Sequence, residues 1–205
     1  MIEASDNRRQ NLSILISRMV AGDEKAFCAI YQIYYNKLLR YGNIILPEIQ
    51  LVEDAIQDLF VWILENPQKI KKINNFEVYL FQSLKRNLRD HAKKKGRSKA
   101  LLEQISKARS PRLFQDSIEL KIIEQEDLEL KKNWVEQKLE QLPAHQKEII
   151  FLRYYQDLSY DEIAAIVSTS NQVIRNFVAR ALKRIRQLGS LEKLWLLFSL
   201  AVFCK

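Results

Sequence analysis

The sequence predicts an all-α protein: two helical domains joined by a linker, the C-terminal one a helix-turn-helix. Three observations carry this. Apolar residues recur at helical spacing along most of the chain. Only four Gly and four Pro occur in 205 residues, with few strand-like alternations. Charge is also segregated: residues 68–112 hold fourteen Lys or Arg against three acids, whereas 113–141 hold eight acids against four Lys. An acidic stretch therefore separates two basic modules. The expected boundaries are 1–97 for the first domain, 98–132 for the linker, 133–188 for the helix-turn-helix domain and 189–205 for an apolar tail.

Taken in order, residues 12–46 hold two helical stretches parted near Ala21-Gly22-Asp23. In the second, Phe27, Ile30, Tyr31, Tyr34, Leu38 and Tyr41 keep helical spacing, and Pro47 closes it. Over Val52–Glu65, residues Ile56, Leu59, Phe60 and Ile63 would face a core, while Asp54, Gln57, Asp58 and Leu64 share a mixed acidic and apolar side. A solvated acidic face explains that side as well as a docking surface for a partner helix does. Asn66-Pro67 ends the helix, and Gln68–Asn75 reads as a polar loop. Phe76 opens another helix, with Tyr79, Leu80, Leu84 and Leu88 apolar, along which Lys85, Arg86, Arg89 and Lys93 to Lys95 accumulate. This density, beside aromatics expected to be exposed, fits a nucleic-acid backbone track. A membrane surface would attract the same charges, but no continuous apolar face accompanies them.

Leu142-Pro143 starts a helix expected over Ala144–Tyr155, with Ile149, Ile150 and Leu152 packed beneath the helix-turn-helix. Ser159 and Glu162 stand at capping-box spacing, and Ile163, Ala164 and Val167 are the expected inward residues of a short helix. Ser168-Thr169-Ser170 interrupts it, with Ser170 a second N-cap. Then Ile174, Phe177, Val178, Ala181, Leu182 and Ile185 form one buried stripe, opposite Gln172, Arg175, Asn176, Arg180, Lys183 and Arg186. A helix-turn-helix sets such a second helix in the DNA major groove, where Arg matches guanine and Asn or Gln matches adenine. A wet basic helix in an ordinary bundle is the plainer alternative. The tail, from Leu191 to Phe203, is apolar on nearly all sides and needs a cover, either the chain's own domains or a partner.

The formal charge of +8 and pI near 9.4 favour a polyanionic partner. Cys28 and Cys204 are too isolated for a disulfide framework or thiolate metal site, and His91 and His145 stand alone. No Gly-rich phosphate loop, nucleophile elbow or metal cluster appears, so neither catalysis nor a cofactor is expected. The N-terminus lacks a signal peptide's apolar core, and Leu194–Cys204 falls short of the ~20 residues a bilayer requires, so the expected compartment is the cytoplasm.

Two separated blocks resemble one family, the bacterial RNA polymerase sigma factors of the extracytoplasmic-function group of the sigma-70 family. LPAHQKEIIFLRYYQDLSYDEIAAIVSTSNQVIRNFVARALKRIR is similar to their C-terminal, upstream-element domain. VEDAIQDLFVWILEN and FEVYLFQSLKRNLRDHAKKK resemble their polymerase-clamp and promoter-melting helices, and MVAGDEKAFCAIYQIYYNKLLRY their opening helices. The resemblance spans about residues 12–188. It implies a non-enzymatic initiation subunit whose partners are core RNA polymerase, through its clamp coiled coil and flap, and promoter DNA, both duplex and single-stranded. Asp54, Gln57 and Asp58, with Phe60 and Leu64 nearby, would meet the clamp. Lys71, Lys72, Asn74, Asn75 and Phe76 fall on the family's loop for a flipped non-template base, and Lys85, Arg86, Arg89 and Lys93 would hold the downstream element. Arg175, Asn176, Ala179 and Arg180 align with positions facing upstream bases, joined on that face by Gln172 and Lys183. Acids in the linker would lie in the polymerase's RNA path, where a solvated linker serves equally. The apolar tail is outside the common pattern, and an anti-sigma factor is one candidate cover. Arg86 in place of Asn, Ser168 in place of the turn Gly, and the small Ala179 leave the promoter sequence open.

Overall fold

A computed structural model describes residues 2–94 and 141–187, and every described regular element is helical. The expected linker and the apolar tail lie outside the described residues. The first module consists of α1 (Ile2–Val20), α2 (Glu24–Ile45), α3 (Ile49–Glu65), α4 (Pro67–Ile70) and α5 (Phe76–Lys94). The second consists of α6 (Ala144–Ile150), a π-helical turn (Phe151–Tyr155), α7 (Tyr160–Val167) and α8 (Asn171–Gln187).

Local chemistry sets the breaks. Gly22 has φ +91, a left-handed conformation that costs glycine little, and it ends α1. Asp23 then caps α2, accepting from the backbone amides of Lys25 and Ala26 at 2.9 and 3.2 Å. Arg18 donates to the same carboxylate at 2.8 Å and ties the two helices at the turn. The segment expected as a loop at 68–75 contains α4, because Pro67 stands at its start, where a missing amide is harmless. Asn75 caps α5 by accepting from the Val78 amide at 3.1 Å.

The helix expected over 144–155 changes register at Phe151, whose carbonyl accepts from the Gln156 amide at 3.2 Å, an i to i+5 bond. Pro143 is its N-cap rather than a first-turn residue. The capping box at Ser159 and Glu162 forms as expected. Ser168 closes α7 at φ 57, the left-handed position where glycine would be relaxed. On α7 the buried face is Ile163, Ala164 and Ile166, with Val167 only half-buried. The tight turn at Ser168 carries Val167 toward the edge.

One apolar cluster runs through both modules, from Ile30, Leu38, Ile56 and Leu84 to Leu152, Ile163 and Ile174. Within the first module, Phe60 meets Phe27 edge-on at 5.9 Å and Tyr31 at 4.8 Å. The aromatics expected beside the basic track turn inward instead. Phe76 is buried edge-on against Tyr34, and half-buried Tyr79 lies against Trp62. Helices α2 and α3 approach closely at Gly42, where a Cβ would overlap the Val52 side chain. Gly42→Ala is therefore expected to destabilise the protein by about 1–3 kcal/mol by overpacking, despite alanine's better helix propensity. A denaturant titration checks this. Gly42→Ala combined with Val52→Ala should lie nearer the wild type than the two single effects summed, and additive effects would contradict the close-approach argument.

Candidate nucleic-acid interface

Three surfaces emerge from this packing. The first is the outer face of α3. Asp54, Gln57 and Asp58 are exposed there, beside Val61 and Leu64, each more than half exposed. Such a ridge of acids and free aliphatics is suited to another helix. Sequence reasoning missed Val61, although it stands at helical spacing from Asp54, Gln57 and Asp58. Phe60 lies on the opposite side of α3, buried, and supports this face from within. His91 of α5 contacts the Asp58 carboxylate at 3.0 Å, linking the acidic ridge to the basic helix.

The second surface is the loop before α5 together with the basic stripe of that helix. Lys71, Lys72 and Asn74 are exposed, and so are Arg86, Arg89 and Lys93. Around the loop lies a cleft of about 690 Å³ whose lining includes Leu12, Ile16, Lys71, Asn74, Asn75 and Glu162. Glu162 comes from the second module. Phe76 is in the core rather than in solvent, so its ring has no free face for a base in this conformation.

Lys85 departs most from expectation. It continues the stripe Phe81, Leu88 and Ala92, all buried, and is itself buried. Its Nζ donates to Glu148 Oε1 at 2.6 Å, across the seam between modules. Tyr41 donates to the same oxygen at 2.8 Å, and His145 Nδ1 stands 3.6 Å from the other. Burial alone would raise the Glu148 carboxyl, but bonds from His145, Lys85 and Tyr41 outweigh it and hold the group below its ordinary value of 4.5. Burial, reinforced by the facing carboxylate, pushes the Tyr41 phenol well above 10.0. Further bonds cross the same seam. Asn75 donates to Glu162 Oε1 at 2.7 Å, and Gln82 donates to the Ala165 carbonyl at 3.3 Å. Tyr41 also stacks with Phe151, centroids 6.2 Å apart. Thus two residues placed on DNA by resemblance, Asn75 and Lys85, are engaged by carboxylates of the second module. Glu148 was not singled out from sequence. Its spacing of four from Leu152 on an inward face was the available signal.

The third surface is α8. Gln172, Arg175, Asn176, Ala179, Arg180 and Lys183 are all exposed on one face, opposite buried Ile174, Val178 and Ala181. Gln172 donates to Asn176 Oδ1 at 3.4 Å, and Arg175 donates to Asn171 Oδ1 at 2.7 Å. The face presents amides and guanidinium groups of the kind that read base edges.

Residues 132–185 match the family described as Sigma-70, region 4. The RNA polymerase sigma-H factor of Pseudomonas aeruginosa is 23% identical over 175 residues, covering 83% of this chain and 90% of that protein. The ECF RNA polymerase sigma factor SigW of Bacillus subtilis is 22% identical, covering 84% and 93%. Two solved structures share the fold. CnrH, in complex with the cytosolic domain of CnrY, gives a TM-score of 0.53 at 21% identity over 86% of this chain and 95% of that one. The sigma factor RpoE of Bartonella quintana, in complex with the anti-sigma factor NepR, gives 0.55 at 22% identity over 80% and 96%.

The seam makes stability depend on a buried charge. Lys85→Met leaves Glu148 unpaired by its cation and is expected to cost about 3 kcal/mol, most of it recovered in Lys85→Met/Glu148→Gln. Equal losses in single and double variants would contradict the pairing. The pH dependence comes from the two shifted groups. Glu148 titrates lower when folded, so its contribution is present above about pH 4.5 and lost as acid reaches the folded value. Tyr41 keeps its proton longer when folded, so its contribution is present below about pH 10 and lost above it. Thermal midpoints across pH should show both limbs, and Glu148→Gln should flatten the acid one.

Proposed function

We propose that the chain acts as an RNA polymerase sigma factor of the sigma-70 family, extracytoplasmic-function group, and that its surfaces divide the work of initiation. The ridge of Asp54, Gln57, Asp58 and Leu64, backed by Phe60, moors the chain to the clamp coiled coil of core polymerase, and the second module meets the flap. The exposed α8 face reads the upstream promoter element in duplex form through Gln172, Arg175, Asn176, Ala179, Arg180 and Lys183. Lys71, Lys72, Asn74 and Asn75 hold an unpaired non-template base, and Phe76, expected among them, supports that loop from the core. Lys85, Arg86, Arg89 and Lys93 hold the downstream element as strands part. The chain performs no chemistry itself, carries no cofactor and works in the cytoplasm beside polymerase and DNA. Residues 1–97 and 133–188 act as the two functional domains, with 98–132 spanning between them.

The observation that carries this reading is the presence on one chain of a free acidic-apolar ridge and a free base-reading face, pointing to two different macromolecules. A regulator of duplex DNA alone would need only the second. Because Lys85 and Asn75 are held by Glu148 and Glu162, engagement of the downstream element requires the modules to part. An anti-sigma protein that gripped both modules would oppose that step. The solved neighbour RpoE is itself in complex with an anti-sigma factor, NepR.

The test is binding to core polymerase without DNA, then transcription from a genomic template library. Asp54→Lys/Asp58→Lys is expected to weaken core binding roughly tenfold or more by reversing charge at the contact, with circular dichroism unchanged. Wild-type chain should direct discrete start sites. Unaltered core binding by the double variant would reject the clamp assignment, and absence of any directed start site would reject the initiation reading.

A further inference from the structure

The base-reading helix carries a brace that its exposed face does not reveal. Tyr160, the first residue of α7, meets two guanidinium groups at its ring. Arg153 stands over its ring at 5.1 Å and Arg175 at 5.2 Å. Arg153 is fixed in turn, since its Nη1 donates to the Leu158 carbonyl at 2.9 Å, with Asp157 at 3.9 Å. On the other side, Arg175 Nε donates to Asn171 Oδ1 at 2.7 Å, and Asn171 Nδ2 donates to Asp161 Oδ1 at 2.6 Å. A chain of contacts from α7 therefore holds an arginine of α8 by its ring-facing plane and its Nε edge.

An unrestrained arginine on a helix surface samples many rotamers and loses that freedom on binding. Here one edge is already committed, which leaves the two terminal nitrogens as the donor pair. That fork matches the O6 and N7 acceptors of guanine in the major groove. We infer that Tyr160 and Asn171 are positioning residues that hold Arg175 for end-on recognition of one guanine in the upstream element. This rests on the reading of α8 as the helix that meets that element. Asp161 keeps the Asn171 amide turned with its oxygen toward Arg175, and Arg153 adds a second contact that holds the Tyr160 ring. Neither Tyr160 nor Asn171 needs to touch DNA.

The experiment is selection of duplexes by the full chain on core polymerase, from a library randomised over the upstream element, with base preference quantified at each position. Wild-type chain should select guanine at one position, and Arg175→Ala or Arg175→Lys should erase that preference. Tyr160→Leu and Asn171→Ala should each lower it about three- to tenfold, the scale of one cation–π contact or one charged hydrogen bond. Preferences at other positions and the thermal midpoint should stay as in wild type. Tyr160→Phe, which keeps the ring face, should retain the guanine preference. If wild-type chain selects no upstream sequence, or Arg175→Ala changes no position, the reading of α8 fails and the inference with it. If Arg175 governs a guanine that Tyr160→Leu and Asn171→Ala still select fully, the reading stands and the brace is wrong. If those variants flatten every position alike, their role is structural and the inference is overturned. If the Arg175-dependent base is not guanine, the end-on assignment is overturned.

Discussion

Glu148 is the constraint on which the arrangement turns. A carboxylate removed from water is costly unless neighbours replace its hydration. Lys85, Tyr41 and His145 do so here, from α5, α2 and its own helix. These bonds tie α6 to α2 and α5, one oxygen receiving both a lysine and a phenol. The stacked Tyr41 and Phe151 rings then seal the seam on its apolar side. A buried pair of this kind is screened little by salt, unlike the exposed charges of α8 and of the outer stripe on α5. Under the proposed function, ionic strength thus acts on DNA contact far more than on closure.

The same geometry gives closure a functional meaning. A phosphate and a glutamate offer a lysine similar chemistry, so under the proposed function Glu148 competes with promoter DNA for Lys85. Glu162 does likewise at Asn75, and it is also half of the capping box that starts α7. One residue therefore caps the first helix of the helix-turn-helix and closes one wall of the cleft at the loop before α5. Opening exposes apolar surface around Tyr41, Phe81 and Phe151, so it needs a partner that compensates. The acidic ridge on α3 remains exposed in the closed state, so under the proposed function polymerase engages it first.

Much of this was legible in the sequence. The capping box, the cap at Ser170 and the single stripe of α8 are local patterns, and local patterns fix local structure. The face carrying Asp54, Gln57 and Asp58 was legible for the same reason. What escaped were features set by partners distant in the chain. Lys85 reads as one more cation in a basic run, and only its register with Phe81, Leu88 and Ala92 hints at burial. Phe76 and Tyr79 look like free aromatics until Tyr34 and Trp62 cover them. The π turn at Phe151 has no short-range signature in the sequence. The brace on Arg175 joins residues at 153, 160, 161, 171 and 175, a set visible only once the two helices cross.

The central claim is that the two modules share a seam when the chain is free and part when polymerase is bound. Energy transfer between dyes on exposed Cys28 and on a cysteine introduced at exposed Arg184, in a Cys204→Ser background, measures this directly. High transfer is expected for the free chain, lower transfer in Glu148→Lys, and the lowest on core polymerase with promoter DNA. Transfer that stayed the same between free chain and transcription-competent complex would contradict the account.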